Sequence, residues 1–319
     1  MISRPHKAKQ FLIVVTKLLI VGGAFYFIYK KLSNEDSLNW DKFIFVLQKE
    51  QSYTSIAFVL LLGVLDRYFE ILKWQNLVSS FRKITISESA KQVFAALTFG
   101  VFTLNGLGEY AGKALFFSKS NTSKILFLNF ICNGIQIILA IVFGILGLLF
   151  FNANYNVITT KTVEELFGFI LILMISFFFI KKIRIKGYSI ETLIHKINET
   201  PKAIHQKNML FAICRYEFFT HQYYFLLLTF NVDLPYLILI STITSVYLLS
   251  SALPTFQFLD FAVRGSVAVY FFGILGINEW IVIFSTTLIW FLNVVLPVLI
   301  GSYFVIRFNS ISMEVEAKI

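Results

Sequence analysis

The chain consists largely of consecutive apolar segments, most of them long enough to cross a lipid bilayer as an α-helix. They lie at residues 11–29, 53–72, 87–117, 125–151, 166–180, 209–230, 235–253, 256–276 and 280–306. A membrane-spanning helix needs about 20 apolar residues, because the hydrocarbon core of a bilayer is about 30 Å thick. Hydrophobic residues make up 57% of the chain and charged residues 14%, which is more apolar surface than a soluble core can bury. We therefore expect an all-α fold, a polytopic membrane helical bundle formed by one domain over residues 1–319.

The positions of the basic residues predict how this bundle is oriented. The formal net charge is +10, and most Lys and Arg residues, including Lys73, are assigned to short segments between apolar runs. Such segments are typical of loops on the cytoplasmic side of a membrane, and they argue against nucleic-acid binding. Both termini are expected in the cytoplasm, with residues 181–208 as a cytoplasmic amphipathic loop. The expected location is the inner (cytoplasmic) membrane of a bacterium.

Two of the apolar regions are interrupted by residues that break helices. The first break contains Asn105, Gly106 and Gly108, and the second contains Pro254. The apolar stretch at 109–117 is too short to cross a bilayer, so we expect a re-entrant helical hairpin at each break. Irregular backbone at membrane depth persists where protein or a water-filled cavity satisfies its polar groups. A hairpin and a pair of crossings both return to the same side, which leaves the number of transmembrane helices open between six and eight.

A weak internal repeat relates the two halves of the chain. The first copy contains Arg67-Tyr68 followed by Glu109-Tyr110-Ala111-Gly112-Lys113. The second copy, about 150 residues later, contains Arg215-Tyr216 followed by Asp260-Phe261-Ala262-Val263-Arg264. We place repeat one at about 53–151 and repeat two at about 209–306, in inverted orientation. Inverted repeats in transporters place their shared site near the bilayer midplane, at broken helices.

The charges inside the apolar runs identify the candidate site. An unpaired charge at the bilayer centre costs about 2.5–3.5 kcal/mol on insertion scales, so these residues must pair or face water. Glu109 and Lys113 stand four residues apart, as do Asp260 and Arg264, and both pairs have the favourable order on a helix. One interpretation is purely structural, with the charges neutralising each other. The other is an anion-binding site, in which an anionic head group is bound by Lys113, Arg264, Arg67 and Arg215.

The same interpretation gives the remaining residues their roles. Glu109 and Asp260 pair with the cations and are the candidates for proton coupling. Tyr68, Tyr110, Tyr216 and Phe261 are expected to line the apolar part of the site. The sequence contains no metal-binding spacing of His or Cys and no nucleotide-binding Gly-x-x-x-x-Gly-Lys-Ser/Thr motif. No catalytic residue, metal or cofactor is therefore assigned.

Several of these motifs resemble those of a known family. The stretch Asn105-Gly106-Leu107-Gly108-Glu109, with Lys113, resembles the Pro-x-x-x-Gly-Glu-x-x-Arg pattern of the lysylphosphatidylglycerol synthase transmembrane region, the flippase-like domain family. The second half is similar in Ala252-Leu253-Pro254-Thr255, Asp260-x-x-x-Arg264-Gly265 and Trp290-x-x-Asn293-x-x-x-Pro297-x-x-x-Gly301. Asn105 stands where the pattern has Pro, and Lys113 where it has Arg. Lys keeps the charge but lacks the bidentate geometry of Arg.

The resemblance implies a stand-alone, multi-helix membrane domain that moves anionic or modified phospholipids between leaflets. The soluble aminoacyl-transferase domain of the full synthases has no counterpart here, so synthesis of lysylphosphatidylglycerol is not expected. The leading hypothesis is thus a translocator of a lipid or lipid carrier, driven downhill or coupled to protons or the membrane potential. The alternative is a membrane-embedded enzyme, or a partner subunit of a lipid- or glycan-modifying enzyme. The expected partners are membrane phospholipids, and homo-oligomerisation is left open.

Overall fold

The computed structural model describes residues 53–159 and 189–307, together with residues 26, 161 and 165. The predicted runs at 11–29 and 166–180 lie outside the described residues, apart from residue 26. The helices of the described ranges are α1 (Tyr53–Val78), α2 (Ile86–Val101), α3 (Gly108–Ala114), α4 (Thr122–Tyr155), α5 (Ile190–Asn198), α6 (Lys202–Thr229), α7 (Tyr236–Ala252), α8 (Asp260–Ile274), α9 (Glu279–Trp290) and α10 (Leu296–Ile306). Across these ranges the fold is all-α, with one isolated antiparallel bridge between Leu104 and Phe256.

Local sequence signals explain several helix boundaries. Thr85 and Glu88 form a capping box at the start of α2, in which each side chain accepts a hydrogen bond from the other residue's backbone N–H. Asn156 ends α4 in the left-handed conformation, with a φ of 49°. A π-helical turn, Phe291–Val295, joins α9 to α10, so these two elements form one continuous rod. Pro297 stands in the first turn of α10.

The stretch predicted as a loop at 181–208 contains parts of two helices in its described residues. Residues 190–198 form the amphipathic helix α5, which begins at the N-cap Ser189. Residues 202–208, however, already belong to α6, which starts after Pro201. Proline is favoured at the start of a helix, because the amide groups of the first turn have no intrahelical acceptors and proline has no N–H to satisfy. The charged residues that made this stretch resemble a loop are the first two turns of a long helix.

Helices α1 and α6 pack along each other and run antiparallel. At one end the rings of Phe58 and Phe225 lie 4.8 Å apart. At the other end Asn76 Nδ2 donates a hydrogen bond to the carbonyl oxygen of Ile204, at 2.8 Å. The pairing is the most extensive between any two helices of the described ranges. It brings together the two helices that carry the Arg-Tyr motifs.

The remaining contacts between the halves are reciprocal. Helix α2 of the first half packs against α10 of the second, and α7 of the second half packs against α4 of the first. Glycine residues allow the helices of both pairs to pack closely. A Cβ atom on Gly301 would collide with the carbonyl oxygen of Phe94, and one on Gly147 would collide with the hydroxyl of Thr244. Small residues at such contacts are typical of helix packing in membranes.

Two large apolar clusters form most of the core. One unites side chains of α1, α2 and α4, including Trp74, Leu77 and Ile125. The other unites mainly α6, α7, α8 and α9, including Tyr223 and Phe272, and a small third cluster joins α4 to α6. Each large cluster thus belongs mainly to one half of the chain, and the α1–α6, α2–α10 and α4–α7 contacts tie the halves together.

Two rods of the described ranges are long and apolar enough to cross a membrane. They are Lys119–Tyr155 and Glu279–Ile306. Helix α1 has sufficient length, but Asp66, Arg67, Glu70 and Lys73 interrupt its apolar character. These four side chains are buried, whereas large apolar side chains such as Val64 and Leu146 are exposed at 66% and 59%.

Candidate functional site

The two helix breaks contact each other. The backbone N–H of Asn105 donates to the carbonyl oxygen of Thr255 at 2.9 Å, and the N–H of Thr255 donates to Asn105 Oδ1 at 3.0 Å. Leu104 and Phe256 form the antiparallel bridge beside these bonds. Each break thus satisfies polar backbone groups of the other, so the breaks in the two halves are parts of one structure.

The two breaks arise from different backbone conformations. Asn105 and Gly106 both adopt positive φ angles, 46° and 70°, a conformation that Gly and Asn tolerate best. The hydroxyl of Thr103 then accepts a hydrogen bond from the N–H of Gly108 at 2.7 Å, at the start of α3. In the second break the residue before Pro254 is extended, with φ of −89° and ψ of 125° at Leu253, which is the conformation favoured before proline.

A polar cavity of about 370 Å³ lies beside the meeting point of the breaks. Both halves of the chain line it. Its charged lining residues are Asp66, Arg67, Glu70, Glu109, Lys113, Arg215, Asp260 and Arg264. Its amide lining residues are Asn105, Asn133, Gln136, Gln257 and Asn293. All four cations and both carboxylates that the sequence pointed to therefore line one cavity.

Glu70 is the centre of the buried charge network. Its Oε2 lies 2.9 Å from Arg215 Nη1 and 3.0 Å from Lys73 Nζ, and its Oε1 lies 3.9 Å from Lys113 Nζ. Asp66, one turn earlier on α1, contacts Arg215 Nε at 3.2 Å. Carboxylates spaced by four residues share one face of a helix, which here faces α6. The network thus joins α1, α3 and α6 through one helix face.

The ion pair predicted between Glu109 and Lys113 is not formed, although both residues lie within the described ranges. Lys113 is 1% exposed and points away from Glu109, with its Nζ 2.7 Å from Asn129 Oδ1 and 4.4 Å from the centre of the Trp74 ring. Glu109 instead accepts a hydrogen bond from Gln257 Nε2 at 3.3 Å. Helix α3 has seven residues, so contacts with neighbouring elements determine the direction of its side chains.

The ion pair predicted between Asp260 and Arg264 is present. Arg264 Nη2 lies 2.7 Å from Asp260 Oδ2, and the two side chains remain 21% and 19% exposed. The guanidinium group also lies over the rings of Phe219 and Tyr247, at 5.6 Å and 5.1 Å from their centres. Stacking of this kind is favourable for Arg. It holds the cation at the edge of the cavity and leaves part of it accessible.

Arg67 is held by the π-helical turn. Its Nη2 donates to the backbone carbonyl oxygen of Asn293 at 2.7 Å, and lies 3.7 Å from Asp66. In a regular helix that carbonyl would accept the N–H of the residue four positions later, which is Pro297 and has no N–H. The irregular turn and the proline together expose a carbonyl acceptor for Arg67. Such turns occur frequently at functional sites.

Several site residues were missed by sequence reasoning. Lys73 was assigned to a cytoplasmic loop, but it is fully buried and contacts Glu70 and Gln136. Its position three residues after Glu70, on the same face of α1, was the available signal. Gln257, Asn129 and Asn293 carried a weaker signal, an amide within or beside an apolar run. Such a residue is costly in an apolar environment unless it has a partner.

The aromatic lining also differs from expectation. Phe219 and Trp290, rather than Tyr68, Tyr110, Tyr216 or Phe261, line the cavity. Tyr216 is buried against Phe143, with ring centres 5.0 Å apart, and Phe261 packs on Trp290. Tyr68 lies on the outer surface of α1, where it is 41% exposed and lines a separate, apolar cavity.

Within the described ranges, some polar atoms of the cavity wall have no hydrogen-bond partner. Arg67 Nε, Arg215 Nε and Arg264 Nε are buried donors of this kind, and Gln257 Oε1 is a buried acceptor; oxygens of Asp66 and Glu70 meet cations in ion pairs but accept no hydrogen bond. A buried polar atom without a partner costs about 1–3 kcal/mol. Atoms that retain such unused bonding capacity, on residues that line a polar cavity, are suited to a ligand or to water.

Among the described residues, no group of three or more His, Cys, Asp or Glu side chains is arranged to hold a metal ion. The charged and amide residues that line the cavity offer charge complementarity and hydrogen bonding. The chain matches no protein-family model and no curated protein.

Proposed function

We propose that this protein is an integral membrane translocator that binds the anionic head group of an amphiphile in the cavity between its two helix breaks. The observation that carries the proposal is that single cavity, to which both halves of the chain contribute cations. In this proposal the protein is a member of the flippase-like family, with two re-entrant hairpins, in a bacterial inner membrane.

The distribution of polar and apolar side chains supports membrane insertion. Charged side chains are concentrated inside the bundle, at Asp66, Glu70, Lys73 and Lys113, whereas large apolar side chains cover much of its exterior. This arrangement is unfavourable in water but suits a lipid environment, where intramembrane charges face the interior and pair with each other. The two long apolar rods provide spans for such a bundle.

The helix contacts support an inverted repeat. The two Arg-Tyr helices, α1 and α6, run antiparallel, as expected if an axis in the membrane plane relates the halves. The same axis would map the α2–α10 contact onto the α4–α7 contact. The contact between Asn105 and Thr255 joins equivalent parts of the two halves. Such an arrangement in transporters places the shared site at the midplane and allows one repeat to move against the other.

The cavity is lined by four carboxylates and four cations, and the unused donors of its arginines support an anionic ligand. The buried carboxylates Asp66 and Glu70 are occupied by Arg215, Lys73 and Lys113. Arg67 and Arg264 each keep an unused Nε donor. Guanidinium groups bind phosphate with strong, directional hydrogen bonds. A phosphate that entered the cavity would find these two arginines on opposite halves of the repeat.

Membrane insertion is tested by labelling single-cysteine variants with a membrane-impermeant reagent. We expect external labelling at Asn34, Asn154 and Asp233, and protection at Ser120 and His195 until the membrane is permeabilised. Ser120, His195, Asn154 and Asp233 are all exposed in the structure, so protection reports sidedness rather than burial. External labelling of Ser120→Cys would contradict the hairpin topology.

Translocation is tested in proteoliposomes that contain fluorescent phosphatidylglycerol. Dithionite should bleach the inner-leaflet fraction when wild-type protein is present, and bleaching should slow at least tenfold in Arg264→Gln. Glu217→Gln is the matched control, since Glu217 pairs with His221 outside the cavity. No acceleration by wild-type protein over empty liposomes, with phosphatidylglycerol or with lipid-carrier phosphates, would overturn the proposal. Phosphatidylcholine moved equally fast would overturn the anion preference.

A further inference from the structure

Arg67 lines a second space besides the charged cavity. On the outer side of α1 it lines an apolar cavity of about 460 Å³, whose walls include Leu60, Val64, Ile71 and Ile300. Val64, Leu60 and Ile300 are exposed, so the cavity is open along its length. One guanidinium group therefore separates a charged space from an apolar one.

This apolar space continues along α1. A second cavity of about 270 Å³ shares Leu60 and Leu292 with the first and reaches Ile56. We call the two together the α1 groove. Ile56 lies eleven positions before Arg67 on α1, and at about 1.5 Å per residue this part of the groove is about 16 Å long. Helix α6 lines one side, and α9 with α10 lines the other.

The shape and polarity of the α1 groove fit one class of ligand. A single leaflet is about 15 Å thick, half of the hydrocarbon core, so the groove matches the length of one lipid chain. Its wall is mostly apolar, and the charged residue among its described lining is Arg67, which also lines the charged cavity. Arg67 Nε is buried and has no hydrogen-bond partner in the described part of the chain. An anionic head group next to Arg67 would place its hydrocarbon chain in the groove.

We propose that the α1 groove binds one hydrocarbon chain of an anionic membrane lipid, whose phosphate contacts Arg67. The inference rests on the proposed function, since it assigns the apolar part of the same amphiphile. It makes Arg67 the contact through which the head group passes between groove and cavity. The π-helical turn contributes twice, because Asn293 holds Arg67 and Leu292 lines the groove.

The test uses phosphatidylglycerol with a photoactivatable diazirine in one acyl chain, added to full-length protein in phosphatidylcholine nanodiscs. Cross-linked residues are mapped by mass spectrometry. We expect labelling at Leu60, Val64 and Leu292 to exceed labelling at Leu146 on α4 severalfold. A diazirine phosphatidylcholine should label the groove more weakly, and Arg67→Gln should lower phosphatidylglycerol labelling to that level.

Two variants make the test specific. Leu60→Trp places a large ring where two sections of the groove join, and should reduce labelling at Val64 at least fivefold. Leu146→Trp adds the same ring to an exposed position outside the groove, and should change nothing. If Leu60→Trp does not fold, Leu60→Phe fills the same point with less volume. Monodisperse elution from a sizing column verifies folding of each variant.

Three results would overturn the inference. They are equal labelling of the groove and of Leu146, equal labelling by the two lipids, and labelling of residues 11–29 in place of the groove walls. The last would show that another segment of the chain covers the groove. The dithionite assay, run on the same protein reconstituted into sealed liposomes, separates this outcome from failure of the proposed function. Transport without groove labelling removes the groove alone, and absence of transport with groove labelling removes translocation alone.

Discussion

The two helix breaks hold their cations in different ways. Lys113, after the first break, is withdrawn into the protein, where Asn129, Trp74 and Glu70 surround its ammonium group. Arg264, after the second break, pairs with Asp260 on its own helix and keeps about a fifth of its side chain exposed. Positions that correspond in sequence are therefore not equivalent in environment. The first cation is thus buried within the bundle, whereas the second remains partly accessible from the cavity.

The largest loss of stability is expected on replacing Glu70, the carboxylate nearest to Lys113. Glu70→Gln removes the charge that Arg215, Lys73 and Lys113 share, and the free energy of unfolding should fall by about 3–5 kcal/mol. Chemical unfolding in detergent, followed by circular dichroism, measures it. The control is Glu217→Gln, whose partly exposed pair with His221 should cost less than about 1 kcal/mol. Equal stability of the two variants would contradict the network.

Lys113→Gln and Arg264→Gln compare the two breaks directly. Lys113→Gln should destabilise by about 2–4 kcal/mol, since it leaves part of the Glu70 charge uncompensated. Arg264→Gln should lower the free energy of unfolding by about 1 kcal/mol or less, because the Asp260–Arg264 pair is partly exposed. The Arg264→Gln protein should nevertheless retain less anionic lipid than the wild type. Native mass spectrometry of lipid retention and unfolding in detergent measure both. Loss of lipid at wild-type stability in Lys113→Gln would reverse the assignment of the two cations.

The backbone of the first break gives a smaller effect. Gly106→Ala introduces a side chain at a φ of 70°, where a Cβ atom would also lie 3.1 Å from Glu109 Oε1. Left-handed backbone costs a residue with a side chain about 1–2 kcal/mol. Gly276→Ala is the matched control, with a φ of 71° and no neighbouring atom within 4 Å. The variant at Gly106 should unfold at a lower denaturant concentration than that at Gly276. The opposite order would show that Glu109 does not crowd this turn.

The smallest effect is expected at Glu109. Because this carboxylate contacts Gln257 rather than Lys113, Glu109→Gln should change the free energy of unfolding by less than about 1 kcal/mol. A charge exchange, Glu109→Lys with Lys113→Glu, should not recover stability, since the two side chains do not meet. Recovery by that double variant in a double-mutant cycle would restore the local ion pair that the sequence suggested.

Sequence alone predicted the elements of the fold well. The apolar runs at 125–151, 235–253 and 280–306 correspond closely to α4, α7 and the α9–α10 rod. Gly106 and Pro254 were reliable signals of breaks, because their effects on the backbone are local. The approach of the breaks followed from the cost of unsatisfied backbone groups in an apolar environment. The membrane location, the inverted repeat and the family resemblance stay predictions.

The partners of the charged residues could not be predicted in the same way. The spacing of Glu109 and Lys113 favours a pair on an isolated helix, but α3 is short and its neighbours offer Lys113 stronger contacts. Lys73 was misassigned because a charge near the end of an apolar run was taken to lie in a loop. Its burial depends on Glu70 and Gln136, and the second of these belongs to α4, 63 residues away. Long-range contacts of this kind leave no periodic signal.

The π-helical turn between α9 and α10 places one more residue in a single turn than a regular α-helix does, since its hydrogen bonds join residues five rather than four positions apart. Removing one residue from Phe291–Val295 would let that turn close as a regular α-helix, with about 3.6 residues per turn. The rod after it would keep nearly the same rotational position, so Gly301 would still face Phe94 and Thr98 would keep its bond to the carbonyl oxygen of Val298. The irregular turn in which Arg67 bonds to the carbonyl oxygen of Asn293 would be lost. The extra residue therefore changes which backbone groups are available within the turn and leaves the packing of α10 on α2 unchanged.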